Sequence, residues 1–241
     1  VNSPLVVGYK GEIGSFILSG LLKVMPKALD IWCVDIKETE SETLERINKS
    51  DVIFLCVPLN MTVDWILRYS GVLQGKIIIE QSSLKSWVDE KMFEFENIDI
   101  RSMHILFRPS ATPNLDDRKV GLLRNDFDDN FAKEIAVITQ SQIVWYNGIE
   151  EHDKEMAIQQ ALTHRMLLVL GRQLEICHGS TYIGKRVIEL SDRIKKGDLD
   201  LYRSIQGNEH LGSHLINFKN ELDNFKIENY MKKQYLEIIV F

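Results

Sequence analysis

A chain of 241 residues, 44% hydrophobic and 27% charged, has the length for one or two domains and the composition of a folded protein with a sizeable core. Its net charge of -6 argues against a broad nucleic-acid surface, while leaving room for a local basic pocket. The 3 cysteines, Cys33, Cys56 and Cys177, lack metal-ligand spacing and no apolar run reaches bilayer length, so no metal site, disulfide or membrane span is expected, and a reducing cytoplasmic compartment is. The chain begins at Val1 without Met, as a trimmed chain or a part of a longer polypeptide would.

The N-terminal half alternates strand and helix patterns. Leu5-Val6-Val7 is an apolar run ending at Gly8, and Glu12 to Val24 reads as a helix burying Ile13, Phe16, Ile17, Leu21 and Leu22. Leu29 to Ile36 reads as a second strand with Asp35 at its end. Thr39 to Asn48 is a charged helix, entered through a Thr39–Glu42 capping-box pattern. Asp51 to Pro58, DVIFLCVP, is apolar nearly throughout, as in a parallel strand covered on both faces. Then come a helix at Met61–Tyr69, a strand at Lys76–Glu80, a helix from Leu84 to Phe95 and a strand at Ile98–His104. Two weaker strands, Val120–Leu123 and Ile143–Tyr146, flank a helix from Phe127 to Thr139. This repetition predicts a doubly wound α/β sheet with right-handed crossovers.

After Asn147-Gly148 the pattern is helical throughout: Ile149–Cys177, Ile183–Lys196, Leu199–Ile205, Glu209–Phe225 and a last stretch from Glu228. The expected organisation is a nucleotide-binding domain over residues 1–148 and an all-α domain over 149–241. The latter is expected to finish its core by pairing with a second copy as a homodimer. The long run from Ile149 carries His152, Asp153, Gln159, Gln160 and His164, then turns apolar at Met166-Leu167-Leu168-Val169-Leu170, which reads as buried. Gln160 and His164 are four apart and share a helix face. That face either lines a site or places His164 at a helix–helix contact.

Gly8-Tyr9-Lys10-Gly11-Glu12-Ile13-Gly14 follows the first strand and opens a helix, where glycines let the backbone approach a pyrophosphate and the helix N-terminus receives its charge. Gly11 and Gly14 fit the second and third positions of a G-x-G-x-x-G pattern; Tyr9 holds the first. Asp35 stands where an acid can bind a ribose 2′-hydroxyl, or is a strand-end turn residue. Its carboxylate favours NAD, and Lys37 keeps NADP open. Val57-Pro58, the Glu80–Lys85 segment and Ser102–His104 lie at carboxyl ends of expected parallel strands, where open α/β sheets bind ligands. Lys85 is a charge partner or a solvated helix-start residue. His104 is a buried structural group or an acid/base facing the cofactor.

Taken in order, these blocks resemble the prephenate/arogenate dehydrogenases of tyrosine biosynthesis along nearly the whole chain. The glycine loop, Asp35 and DVIFLCVP are followed by EQSSLK, similar to that family's D-x-x-S-x-K block, and by MHILFRP, similar to its HPMFGP-type loop. HDKEMAIQQALTH is similar to its HD…Q-x-L-x-H helix, and RIKKGDLDLY lies in the helical part. The resemblance implies a Rossmann-type domain, an oxidoreductase activity and NAD held by Gly8, Tyr9, Gly11, Glu12, Ile13, Gly14, Asp35, Val57 and Pro58. It implies that His104 takes the ring-hydroxyl proton and that Ser83 helps position it. Substrate is expected at Gln160, His164 and Arg193, with Arg108 supplying charge. Prephenate, arogenate and another small acid all stay open as substrate, as do a chorismate mutase partner or fusion and an inactive binding module. The sequence departs from the family at Tyr9, Glu80, Ile105, Arg108 and Thr163, which implies either Arg108 or Arg165 supplying the missing charge, altered substrate choice, or lost activity; a basic pocket around Arg108, Arg165 and Arg193 is expected.

Overall fold

A computed structural model describes residues 2–25, 31–92, 97–179, 181–197 and 199–225. Seven strands form one sheet: β1 (Pro4–Val7), β2 (Trp32–Val34), β3 (Val52–Leu55), β4 (Ile77–Glu80), β5 (Asp99–Ile105), β6 (Lys119–Leu123) and β7 (Gln142–Tyr146). Their order is β2-β1-β3-β4-β5-β6-β7. The first five run parallel, β6 is antiparallel to β5, and β7 is parallel to β6. The chain leaves β1 toward one edge and returns to the other side of it at β3, so β1 and β3 flank a topological switch point.

Helices α1 (Glu12–Val24), α2 (Glu40–Asn48), α3 (Leu59–Tyr69), α4 (Lys85–Met92) and α5 (Asp129–Thr139) cover the sheet. Strand side chains alternate between its faces, so each buried strand feeds two cores. Leu5, Val7, Ile53, Leu55 and Ile78 pack in a cluster with Ile47 of α2 and Ile66 of α3. Val6, Val52, Phe54 and Ile79 pack on the other side with Ile17 and Leu21 of α1 and Ile135 and Ile138 of α5. This two-sided burial explains why DVIFLCVP lacks polar alternation. The Thr39–Glu42 capping box is formed, and the Asp128 carboxylate accepts the Asn130 and Phe131 amides at the start of α5. Leu22, expected inside, is 54% exposed, because α1 presents Gly14, Ile17, Gly20 and Leu21 to the sheet and α5. The second strand is shorter than expected, starting at Trp32; Leu29 and the expected Glu228 helix lie outside the described residues.

Beyond Gly148 the described chain is helical: α6 (Ile149–Met156), α7 (Thr163–Glu175), α8 (Tyr182–Lys195), α9 (Leu199–Gln206) and α10 (Leu211–Asp223). The expected long helix is unbroken from Ile149 to Glu175, but Ala157–Leu162 between α6 and α7 is wound as a wider π turn. The Thr163 hydroxyl donates to the Ile158 carbonyl at 2.8 Å across it. Such turns are uncommon and concentrate at functional sites. The apolar run in α7 is not buried as expected. Val169 and Leu170 are about half exposed, and Gly171 is the buried residue of α7. The small cluster in this region is Ala161, Ile205 and Leu211, too little to cover that outward face.

Candidate active site

Two cavities open at the carboxyl ends of the parallel strands. The first, of about 420 Å³, lies at the switch point and is lined by Gly8, Gly11, Asp35, Glu38, Val57, Pro58 and neighbours. Gly8 has φ +77°, and a Cβ there would sit 2.3 Å from the Cys56 carbonyl oxygen, so only glycine lets the loop turn this tightly beside β3. Gly8 therefore makes the close turn that the glycine pattern assigns to the neighbouring position. Tyr9 instead packs against the core beside α1, and Gly14 is closed in by the Gly8 carbonyl; neither lines the two cavities. Gly11 precedes α1 without a side-chain cap, which leaves the helix N-terminus to a ligand. The Asp35 carboxylate accepts the Lys10 and Ile36 amides at 3.0 and 2.9 Å, tying the acid to the glycine loop.

The second cavity, of about 540 Å³, lies against the helical region. It brings together Ser83, His104, Arg108, Gln160, His164 and Arg193, drawn from segments far apart in sequence. Glu12 and Ile13, at the start of α1, also line it and so stand between the two cavities. Glu12 pairs with Arg108 at 3.1 Å and accepts the Ser110 amide at 3.0 Å, which fastens the loop after β5 to α1. Burial pushes the Glu12 carboxyl up, but the Ser110 hydrogen bonds and Arg108 outweigh it and hold it below its ordinary value. Arg165 does not join a basic pocket. Its Nε donates to the Gln206 Oε1 at 2.8 Å, tying α7 to α9, and the cavity's cations are Arg108 and Arg193.

His104 sits near the end of β5, 4% exposed. Its Nδ1 lies 3.0 Å from the His152 Nε2, and the His152 Nδ1 lies 2.7 Å from the Asp153 Oδ1. Asp153 also accepts the Lys85 and Ser86 amides at 3.0 and 2.9 Å, capping α4 from another part of the chain. Burial pushes the Asp153 carboxyl up, yet the bonds from His152, Ser86 and Lys85 win and hold it below its ordinary value. His104 is held well below the ordinary imidazole range by burial, then by His152 and Lys85. Its other nitrogen, Nε2, is 3.4 Å from the Gln160 amide nitrogen on the π turn. Ser83 faces the same cavity, but the hydrogen-bond partners of His104 among the described residues are His152 and Gln160.

Lys85 is neither solvated nor at the cavity. It is 1% exposed, with Nζ 2.6 Å from the Glu80 Oε1 and 2.7 Å from the Met103 carbonyl beside His104. The Glu80 carboxylate in turn takes the Ser82 amide at 2.7 Å, so the ion pair shapes the loop that presents Ser83. The sequence reading gave no site role to Gln81, Gln159, Tyr202, His152 or Asp153. The available signal was the His-Asp pair at the start of an otherwise core-facing helix. Three buried polar atoms on cavity residues have no partner: the Gln81 Oε1, the Gln160 Oε1 and the His164 Nδ1. Unpaired buried polar atoms are costly and mark where a polar ligand binds. Among the described residues no acid, His and Cys cluster could hold a metal ion.

No family model matches the chain. Its sequence is 24% identical, over 161 residues, to a Methanocaldococcus jannaschii protein described as a "probable arogenate/prephenate dehydrogenase"; the match takes in 57% of this chain and 32% of that relative. The chain thus spans about a third of that relative's length. Among solved structures, prephenate dehydrogenase from Aquifex aeolicus, in complex with hydroxyphenyl propionate and NAD+, superposes with TM-score 0.70 at 17% identity, over 98% of this chain and 94% of that one. A candidate prephenate dehydrogenase from Corynebacterium glutamicum gives TM-score 0.74 at 16% identity, over 99% and 88%. The described residues therefore have the fold of these dehydrogenases: a Rossmann-type doubly wound sheet followed by a helical region.

Proposed function

We propose that the chain is an NAD-dependent dehydrogenase acting on prephenate, giving 4-hydroxyphenylpyruvate. The observation that carries this reading is the Nε2 of His104. It is a buried, uncharged ring nitrogen facing a cavity that also holds two arginines and three unpaired polar atoms, on the same sheet edge as the switch-point cavity. The curated relative and the Aquifex structures support the same substrate class.

The first cavity fits NAD. Gly8 and Gly11 leave backbone room for a pyrophosphate at the uncapped start of α1, Val57 and Pro58 form a wall, and Asp35 suits ribose hydroxyls. Asp35 and Glu38 line the same cavity and would repel a 2′-phosphate, which favours NAD over NADP, while Glu40 is paired with Arg68 on the same wall. Bound NAD would supply the acceptor for the hydride that the substrate's carbinol carbon gives up as its C–O bond becomes a carbonyl. His104 removes the ring-hydroxyl proton through Nε2 while the ring carboxylate departs as carbon dioxide, leaving its bonding electrons to the aromatic ring. The proton then returns to the phenolic oxygen. Arg193 holds a carboxylate, Arg108 stays on Glu12 and keeps the loop after β5 in place, and the Gln160 and His164 side chains fix the ring. Glu12, the acid lining this cavity, is already engaged by Arg108 and Ser110. No lining carboxylate is then left for an ammonium, which favours prephenate over arogenate.

The exposed Val169–Leu170 face of α7 supports a homodimer, with the nucleotide-binding part over residues 1–148 and the pairing part over 149–241. No described helix is long and apolar enough to cross a membrane. NADH formation with prephenate and arogenate, each with NAD and NADP, tests the reading; rapid reduction of NAD by prephenate is the expected result. His104→Asn should lower kcat by about 100-fold or more while sparing NAD affinity. Undiminished turnover in that variant removes His104 from the chemistry.

A further inference from the structure

We infer that His152 and Asp153 are positioning residues that fix the tautomer of His104, so that its cavity-facing nitrogen always carries a lone pair. The inference rests on the reading of His104 as the base. The argument runs outward from the one group whose charge is fixed. Asp153 accepts two backbone amides at the start of α4, and these bonds together with the His152 contact favour its ionised, acceptor-only form. The third contact of that carboxylate, at 2.7 Å, is the His152 Nδ1, which must therefore carry the proton. Neutral imidazole has one N–H, so the His152 Nε2 is left as an acceptor. It faces the His104 Nδ1 at 3.0 Å, which must then be the donor. The His104 Nε2 is left unprotonated, toward the cavity, where the Gln160 amide can donate to it until a substrate hydroxyl takes its place.

The surroundings hold this chain of assignments in one state. His104 and His152 are 4% and 1% exposed, so water does not compete for either ring nitrogen between them. The Tyr146 ring lies edge-on to His152 at 5.0 Å between centroids, and the Asn208 amide holds the Asp153 carbonyl at 2.7 Å. The charged and titratable groups around the pair are Asp153, Lys85 and Glu80. In water a lone imidazole favours the opposite tautomer, with the proton on Nε2. A His104 released from His152 would therefore point an N–H at the substrate hydroxyl and could not take its proton. As His104 Nε2 gains that proton, its Nδ1–H remains bonded to His152, and the Asp153 carboxylate balances the new charge through the second ring.

The test uses full-length, ¹⁵N-labelled protein and long-range ¹H–¹⁵N spectra, which report which ring nitrogen carries the proton; the His104→Asn variant assigns the signals. Wild type is expected to show His104 protonated at Nδ1. His152→Leu removes the acceptor and should move that proton to Nε2, with kcat for prephenate falling about 100-fold or more and KM little changed. His152→Gln places an amide oxygen near the lost Nε2 and should restore the Nδ1–H tautomer and much of kcat. An Nε2–H tautomer in wild type overturns the inference. So does a His152→Leu variant that keeps the wild-type tautomer, or one in which Leu and Gln are equally impaired. Failure of the base reading is separable: full turnover by His104→Asn would end that reading, while the spectra would still decide whether His152 sets the tautomer.

Discussion

At the scale of single residues, the site depends on groups kept neutral where water would let them charge. Burial lowers the proton affinity of both His104 and His152, the first further through His152 and Lys85, the second partly offset by Asp153. In the unfolded chain both would take up protons near pH 6.5. The native state resists, so stability is full above that pH and is lost as pH falls through the window between the unfolded and folded values. The slope is at most about 1.4 kcal/mol per pH unit for each histidine. Asp153, held below its ordinary value, adds a further loss at lower pH. Urea unfolding between about pH 8 and about pH 5 should show this decline, and a flat profile would refute it. His104 was legible in the sequence because it closes an apolar strand at the sheet's ligand-binding edge. Its partner was not, since His152 lies 48 residues away and a sequence carries no distances. Of the two readings open for Lys85, the charge partner holds: Glu80 and Met103 close around its ammonium, which sequence spacing alone could not decide.

At the scale of elements, the glycine loop is the most exacting piece. Gly8→Ala would set a Cβ against the Cys56 carbonyl in a left-handed backbone, costing about 1–3 kcal/mol or displacing the loop. NAD affinity should fall steeply in that variant. Gly11→Ala, whose Cβ would lie 3.3 Å from the Gly8 carbonyl oxygen, should fold normally. Calorimetric NAD titration beside thermal melts checks both, and unchanged affinity in Gly8→Ala would contradict the loop's assignment. Elements governed by local rules were legible to within a residue or two. The continuous apolar runs of β1 and β3 and the Thr39–Glu42 cap are read from neighbours in sequence alone. The π turn at Ala157–Leu162 was not legible, since nothing in its composition separates it from α-helix. Its Ala161 packs with Ile205 of α9 and Leu211 of α10, contacts that no local sequence rule announces.

At the scale of the whole molecule, the two parts differ in how well they cover themselves. The sheet is enclosed on both faces by two continuous clusters, whereas the helical part leaves Val169, Leu170, Ile176, Ile183 and Ile216 outward. A second copy laid on that surface would bury it. Leu170→Glu should then convert a dimer to a monomer by light scattering, with the α/β part still folded by circular dichroism; a monomeric wild type would refute the pairing. After its wide turn the same helix carries both His164 in the cavity and the outward apolar residues Val169 and Leu170. Deleting one residue from that turn would restore regular winding and swing everything after it by about 100° around the axis. His164 would leave the cavity in the same rotation that carried Val169 and Leu170 off their outward bearing. The place of His164 in the cavity and the bearing of the outward apolar face are thus geared together, and neither can drift along the chain without the other.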